Sequence, residues 1–265
     1  MWADDDAAIR FDHGAAYERF MGCWSRAAGA LFLDWLAPPA EARWLEIGCG
    51  TGAFTELILQ RCRPAAIVAV DPAPAQVAYA RRRTDANVIS FHVASAEALP
   101  CSDESQDVVV SALALNFIAD RPAALREMRR VARAHGIIAA YVWDFAGGRM
   151  PNAPLVEALR HLKIVGPAPP GGRDCALAPL RSLLAGAGLT NIETTALDIA
   201  VTYADFTTFW HAQTPSFSPT TRLIARLSPA QRAALINVLC RALPLRPDGS
   251  IAYLARAHAV RGCLP

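Results

Sequence analysis

Short apolar runs alternate with amphipathic stretches through the middle of the chain, and this rhythm sets the first structural expectation. Trp44–Ile47, Ile67–Val70, Val88–Val93, Val108–Ala112 and Ile137–Trp143 are β-branched or aromatic, and several lack the in–out alternation of a half-exposed strand. Strands covered on both faces read this way. Between them, segments 53–62, 74–84 and 121–133 repeat apolar residues at intervals of three and four, which predicts helices. The last is the best punctuated. Asp120 is placed to cap its start, Pro122 suits the first turn, Leu125, Met128 and Val131 form a stripe, and Gly136 stands where the helix would close. Strand and helix in repetition predict an α/β fold: a doubly wound, mostly parallel, seven-stranded Rossmann-like sheet.

The flanks show other patterns. Residues 13–36 read as helical, with Tyr17, Phe20, Met21 and Trp24 on one face and a second run from Ala27 to Leu36, stopped by Pro38-Pro39. After Trp143 the rhythm breaks at Gly147-Gly148 and again at Pro167–Gly172. Helical pieces are predicted at 153–163, 176–186 and 203–243, the last carrying prolines 215, 219 and 229, with strands at 190–201 and 250–260. The expected organisation is one domain over 1–265. It has a helical lid in 1–40, a core in 41–144 and a cap in 145–186 and 203–247, inserted after the fifth strand.

Composition narrows the partners. Hydrophobic residues make up 53% of the 265, enough for a sizeable core, and the formal net charge is only +2. Lys163 is the sole lysine. Arg81-Arg82-Arg83 reads as a solvated helix end, so neither a nucleic-acid nor a membrane partner is expected. No stretch reaches the roughly 18 apolar residues of a membrane span. The acidic opening Met1-Trp2-Ala3-Asp4-Asp5-Asp6 lacks the basic start and apolar run of a signal peptide. Seven scattered cysteines without a Cys-x-x-Cys pair point to a reducing, cytoplasmic setting, and no two histidines share metal-ligand spacing.

The chemistry concentrates in Leu45-Glu46-Ile47-Gly48-Cys49-Gly50-Thr51-Gly52-Ala53-Phe54, where a strand passes into a helix. Glycines there let the backbone turn sharply and approach a ligand, and the free N–H groups of the helix start favour polar or anionic groups. Asp71 ends the next predicted strand, 21 residues after Gly50. A carboxylate at that spacing accepts both hydroxyls of a ribose, although Asp71-Pro72 also suits a helix start. Gly48-x-Gly50-x-x-Ala53 fits a nicotinamide dinucleotide as well. Glu46 separates the two readings: a buried acid beside the loop repels a pyrophosphate, whereas a sulfonium with an amino-acid tail supplies the cations it needs.

LEIGCGTG, VAVDPAPAQVAYAR and SAEALPCSDESQDVVVSALALNFIAD resemble, in order, the class I S-adenosylmethionine-dependent methyltransferases of the type 11, ubiquinone/menaquinone-biosynthesis kind. The likeness runs from about residue 12 to 144. Tyr17-Glu18-Arg19-Phe20-Met21-Gly22-Cys23-Trp24-Ser25 resembles that group's lead-in helix, which closes over the methionine end of the donor. The resemblance implies S-adenosylmethionine as cofactor. It assigns Glu46, Gly48, Gly50 and Gly52 to the methionine part, with Tyr17 and Met21 closing over it. Asp71 falls to the ribose, Pro72 and Gln76 flank the adenosine, and Ser95, Ala96 and Glu97 fall to the adenine. An aspartate is common in the family where this chain has Ser95, a weaker acceptor for the adenine amino group.

Methyl transfer asks mainly for alignment, and a base only if the acceptor must lose a proton. Acceptor-side candidates are Asn116 after the fourth strand, His13, His211 and Tyr17. Their plainer alternatives are a loop-capping amide, structural or exposed histidines, and core packing. Asp144 either lines the pocket or caps the turn after the fifth strand. Phe145, Met150, Tyr203, Phe206, Phe209, Trp210 and Phe217 concentrate apolar surface in the cap. Some of these are expected to wall a pocket for a small, apolar or aromatic acceptor. Two other readings stay open: an NAD(P)-dependent oxidoreductase, and a non-catalytic S-adenosylmethionine-binding scaffold.

Overall fold

A computed structural model describes residues 14–265 except Asp85 and Phe217, with side chains in the first helix described from Trp24 onward. In chain order the elements are α1 (Gly14–Leu36), β1 (Arg43–Ile47), α2 (Ala53–Cys62), β2 (Ala66–Asp71), α3 (Pro74–Arg83), β3 (Ile89–Val93) and β4 (Gln106–Ala112). A short 3-10 turn (Leu115–Phe117), α4 (Arg121–Val131), β5 (Ala132–Trp143) and α5 (Ala153–His161) come next. A second 3-10 turn (Gly172–Cys175), α6 (Leu177–Gly186), β6 (Thr190–Tyr203), α7 (Phe206–Gln213), α8 (Pro219–Ala225), α9 (Pro229–Ala242) and β7 (Ile251–Cys263) complete the chain.

The seven strands form one sheet in the order β3-β2-β1-β4-β5-β7-β6. Five pair in parallel, and β7 runs antiparallel to both β5 and β6. Each face carries its own core. Trp44, Val108, Val110, Tyr141 and Ala257 meet α1, α2 and α3 on one side, in a cluster that continues into α5, α7 and α9. Leu45, Ile47, Val109, Ile138 and Val260 meet α4 and α6 on the other. Alternate residues of each strand therefore serve opposite cores, which is why the strands carry unbroken apolar runs. The order reverses between β1 and β4, and ligands of such sheets bind outside the carboxyl ends of the strands at that reversal.

The predicted sheet is present, with three local corrections. The helix expected over 121–133 does begin at its Asp120 cap, whose carboxylate accepts from Ala123 N at 2.9 Å, and it does bury Leu125, Met128 and Val131. It stops at Val131, however, and Gly136 does not close it. The register slips between Gln106 and Val108 opposite Ala132 and Ile137, and Gly136 lies in that irregular stretch of β5. A Cβ on Gly136 would stand 2.8 Å from the Arg133 carbonyl oxygen, so its lack of a side chain serves close backbone approach. Second, 203–243 is not one helical run. Prolines 219 and 229 each open a new helix, and Ser228 with Gln231 forms a full capping box. Third, α6, expected in the cap, packs on the sheet through Leu180 and Leu184 as a crossover helix.

Candidate functional site

A cavity of about 390 Å³ opens at the reversal point. Its walls come from the ends of successive strands: Glu46–Thr51 at the end of β1, Asp71–Ala73 at the end of β2, Ala94–Glu97 after β3, Ala112–Ala114 at the end of β4, and Tyr141 on β5. Its size and mainly apolar walls suit a small-molecule site.

The glycine loop has the conformation that its sequence demands. Gly48, Gly50 and Gly52 lie at φ 76°, 53° and 78°, where a side chain is strained. Two of them also meet space limits of opposite kinds. A Cβ on Gly48 would fall 2.3 Å from the Ala114 Cβ, so the loop presses against the end of β4. A Cβ on Gly50 would meet no protein atom within 4 Å, so that glycine keeps open space. Leu113, beside Ala114, is itself held at φ 56° with its N–H bonded to the Tyr141 carbonyl at 2.8 Å. Strained residues of this sort gather at functional sites.

Asp71 ties this loop to the next helix. One carboxylate oxygen accepts from Gly50 N and the other from Ala73 N, each at 2.9 Å. It is not the cap of α3, whose first position is taken by Ala73 without a side-chain bond. Burial raises its pKa, against the two N–H bonds that lower it. Each oxygen still has a lone pair for a ligand hydroxyl.

Glu46 is 1% exposed, with Thr55 Oγ1 donating to it at 2.5 Å. Burial, opposed by that hydrogen bond and reinforced by nearby Asp71, pushes its pKa up to about 7. Among the described residues no cation is paired with it. Thr55 had no part in the sequence-based expectations, although a hydroxyl in the first turn after a glycine loop naturally faces back onto the strand. Cys49, buried in the same loop, has its thiol pKa well raised by burial and by Glu46 and Asp71.

The other predicted cofactor residues also converge. Pro72, Gln76, Ser95, Ala96 and Glu97 all line the cavity together with Glu46, Gly48, Gly50 and Asp71. Gly52 starts α2 just behind the loop. Tyr17 and Met21 lie on α1 in the part whose side chains are outside the description, and His13 lies outside the described residues.

The acceptor-side expectations fare differently. Asn116 is buried, and its Nδ2 donates to the Pro170 carbonyl at 3.3 Å; the amide ties the Pro167–Gly172 strap down and does not line the cavity. His211 is exposed on α7, also away from the lining. Asp144 caps its own turn, accepting from Gly147 N at 2.6 Å, and stands 3.6 Å from His258 Nε2. Phe206 stacks on Trp210 at 6.2 Å and packs tilted against Phe209 at 6.0 Å, and none of the three lines the cavity. The wall beyond the glycine loop is instead built by Ser25, Phe54, Leu113, Phe117 and Tyr141. Ser25 and Phe54 lie in segments that the sequence pointed to, but no sequence signal singled out any of the five, which come from separate elements. Among the described residues no three His, Cys, Asp or Glu side chains gather to hold a metal ion.

Residues 45–140 match the family model described as a methyltransferase domain. This stretch is a methyltransferase domain. It holds the glycine loop, Asp71 and the Ala94–Glu97 wall together. The chain is 35% identical over 139 residues to malonyl-[acyl-carrier protein] O-methyltransferase of Halorhodospira halophila, covering 51% of this chain and 47% of that one. It is 32% identical over 130 residues to the ubiquinone/menaquinone biosynthesis C-methyltransferase UbiE of Dinoroseobacter shibae, covering 48% and 50%. The matched region thus spans about half the length of these curated relatives. In fold, the YcgJ protein of Bacillus subtilis superposes with a TM-score of 0.59 at 20% identity over 89% of this chain and 97% of its own. The [4+2]-cyclase SpnF superposes at 0.54, with 19% identity over 89% and 79%. The methyltransferase-domain fold therefore extends to a protein named for a different reaction, so the reaction must be argued from the site.

Proposed function

We propose that the chain is a cytoplasmic S-adenosylmethionine-dependent methyltransferase acting on a small, mostly apolar or aromatic acceptor. The observation that carries this reading is the open left-handed Gly50 beside Asp71 and the buried carboxyl of Glu46. A cationic amino-acid tail and sulfonium suit Glu46 and Asp71, whereas a pyrophosphate would meet two carboxylates. Gly48, Gly50 and Glu46 hold the methionine part, Asp71 the ribose, and Pro72 with Ser95–Glu97 the base. When bound, S-adenosylmethionine supplies a methyl group already activated by its sulfonium.

The protein's part is to hold the acceptor in line and to exclude water. Ser25, Phe54, Leu113, Phe117 and Tyr141 form the apolar wall suited to that task. The cavity lining includes Glu46, Asp71 and Glu97 but, among the described residues, no arginine, lysine or histidine. This charge pattern favours a neutral or cationic acceptor over a free carboxylate such as a malonyl group. Among the described residues no helix is long and apolar enough to cross a membrane. The near-neutral net charge and single lysine argue against a nucleic-acid acceptor.

The test pairs binding with transfer. Calorimetry should show S-adenosylhomocysteine binding and no NAD(P)H binding. Labelled S-adenosylmethionine should transfer its methyl group to one member of a panel that includes quinols, phenols, amines and malonyl thioesters. Tight NAD(P)H binding would replace the reading with an oxidoreductase. Donor binding without transfer to any acceptor would leave a scaffold. Transfer only to intact protein or RNA would overturn the acceptor class.

A further inference from the structure

Gln76, on the first turn of α3, is the least satisfied polar side chain in the donor cavity. It is 1% exposed, and neither its Oε1 nor its Nε2 has a hydrogen-bond partner. It belongs to the cavity wall together with Asp71, Pro72 and Ala73. A buried carboxamide with both ends unpaired costs stability, and leucine at the same place would remove that cost. The residue is thus poorly explained by folding alone.

The bonding at Asp71 shows what is missing. Each of its oxygens already accepts one backbone N–H, from Gly50 and from Ala73. There remains one acceptor position per oxygen, enough to take the two hydroxyl protons of a vicinal diol. A hydroxyl oxygen also accepts, and an ionised carboxylate has no hydrogen to give. Gln76 Nε2 is an unpartnered donor in the same wall, and the soft terminal torsion of glutamine lets it turn without moving α3.

We infer that Gln76 is a ribose-binding residue: its amide donates to a hydroxyl oxygen of the donor's 2′,3′-diol, whose proton goes to Asp71. The inference rests on the proposed donor. The pair then grips the diol from both sides, as acceptor and as donor, and Asp71 is no longer the diol's only polar partner.

The experiment is a cycle between residue and ligand. Gln76→Leu and, as a second apolar variant, Gln76→Met are titrated with S-adenosylhomocysteine and with its 2′-deoxy, 3′-deoxy and inosyl analogues. Melting temperatures are recorded without ligand. Each variant is expected to bind S-adenosylhomocysteine about three- to tenfold more weakly than wild type. Most of that loss should vanish with one of the two deoxy analogues, which is the signature of a direct pair. The unliganded variants should melt at or above the wild-type temperature. Loss undiminished with both deoxy analogues but abolished with the inosyl analogue would move Gln76 to the base and overturn the inference. Unchanged affinities with a lower melting temperature would make it structural and overturn it too. Failure of the wild type to bind S-adenosylhomocysteine would strike the donor reading itself, a result distinct from either.

Discussion

Residues 43–143 and residues 144–265 both bury polar groups, but only those of the first region face the cavity. The first region leaves capacity open toward the cavity: Asp71 keeps free lone pairs, Gln76 is unpaired, and Glu46 has one hydroxyl for a partner. In the second region most of the buried polar groups around Gln213 close on one another, Gln213 Oε1 being left without a partner. Gln213 Nε2 donates to Tyr203 Oη at 2.7 Å and to the Pro151 carbonyl at 3.2 Å, and Tyr253 Oη donates to the same carbonyl at 2.6 Å. His258 Nδ1 lies 2.8 Å from the Cys175 carbonyl, with Asp144 on its other side. No described residue beyond Tyr141 lines the cavity. Satisfied networks rigidify a scaffold, whereas an unsatisfied buried group in a cavity wall is available to a ligand. The cavity wall lies in the first region, and the proposed binding role goes with it.

The sharpest way to break this division is Gly50→Val. The space at Gly50 holds no protein atom, so the fold should survive at the cost of local strain. The branched side chain would fill the donor's place. Calorimetry should find no S-adenosylhomocysteine binding to a variant that circular dichroism shows folded. Normal binding would remove the glycine loop from the site.

The second region is tested by Phe209→Ala. Phe209 is fully buried against Tyr203 and Phe206. Its truncation should cost about 3–5 kcal/mol of stability while donor affinity stays within about twofold at a temperature where the variant is folded. A large change in acceptor KM at that temperature would place α7 in the acceptor site after all.

Glu46 is a buried acid in the cavity wall whose burial weakens the fold. Its carboxyl is at about 7 in the folded chain, against 4.5 when solvated, so the folded state disfavours ionisation. The associated penalty is absent below pH 4.5, grows as pH rises, and is complete above about 7. Its size is about 3 kcal/mol. Glu46→Gln should therefore be more stable than wild type at pH 8.5 and equal to it near pH 4, by denaturant melts at each pH. A bound cation favours the ionised form, so wild-type affinity for S-adenosylmethionine should rise as pH passes through 7, and that of the variant should not. A pH-independent stability difference would contradict the buried acid.

Asp71→Ala should show a similar or smaller loss of donor affinity, and it also leaves Gly50 N and Ala73 N without their acceptor. Removing a charged hydrogen-bond partner costs about 1.5–3 kcal/mol, one to two decades in the dissociation constant for S-adenosylhomocysteine. An unchanged constant would leave Asp71 only its tie between Gly50 and Ala73.

The glycine-loop half of the cavity was legible in the residue order because its parts are local. A strand, a glycine loop and a helix start are consecutive in sequence, and Asp71 comes one helix and one strand later. Their positions result from backbone sterics and from the rule that parallel strands end on the same side. The outer wall was not legible for the opposite reason. Ser25, Phe54, Leu113, Phe117 and Tyr141 meet only because β1, β4 and β5 are neighbours and α1 crosses over them. The aromatic stripe of α7 shows the same limit. Its spacing correctly marks one apolar face, yet periodicity does not say whether that face meets a ligand or a core, and here it packs inward against Tyr203. The chain's own pattern thus determined the alternating sheet, the glycine loop and the carboxylate at the end of the next strand. Which side chains share a cavity, and which polar groups are left without partners in its wall, was decided only by tertiary packing, because burial and satisfaction depend on neighbours far away in sequence.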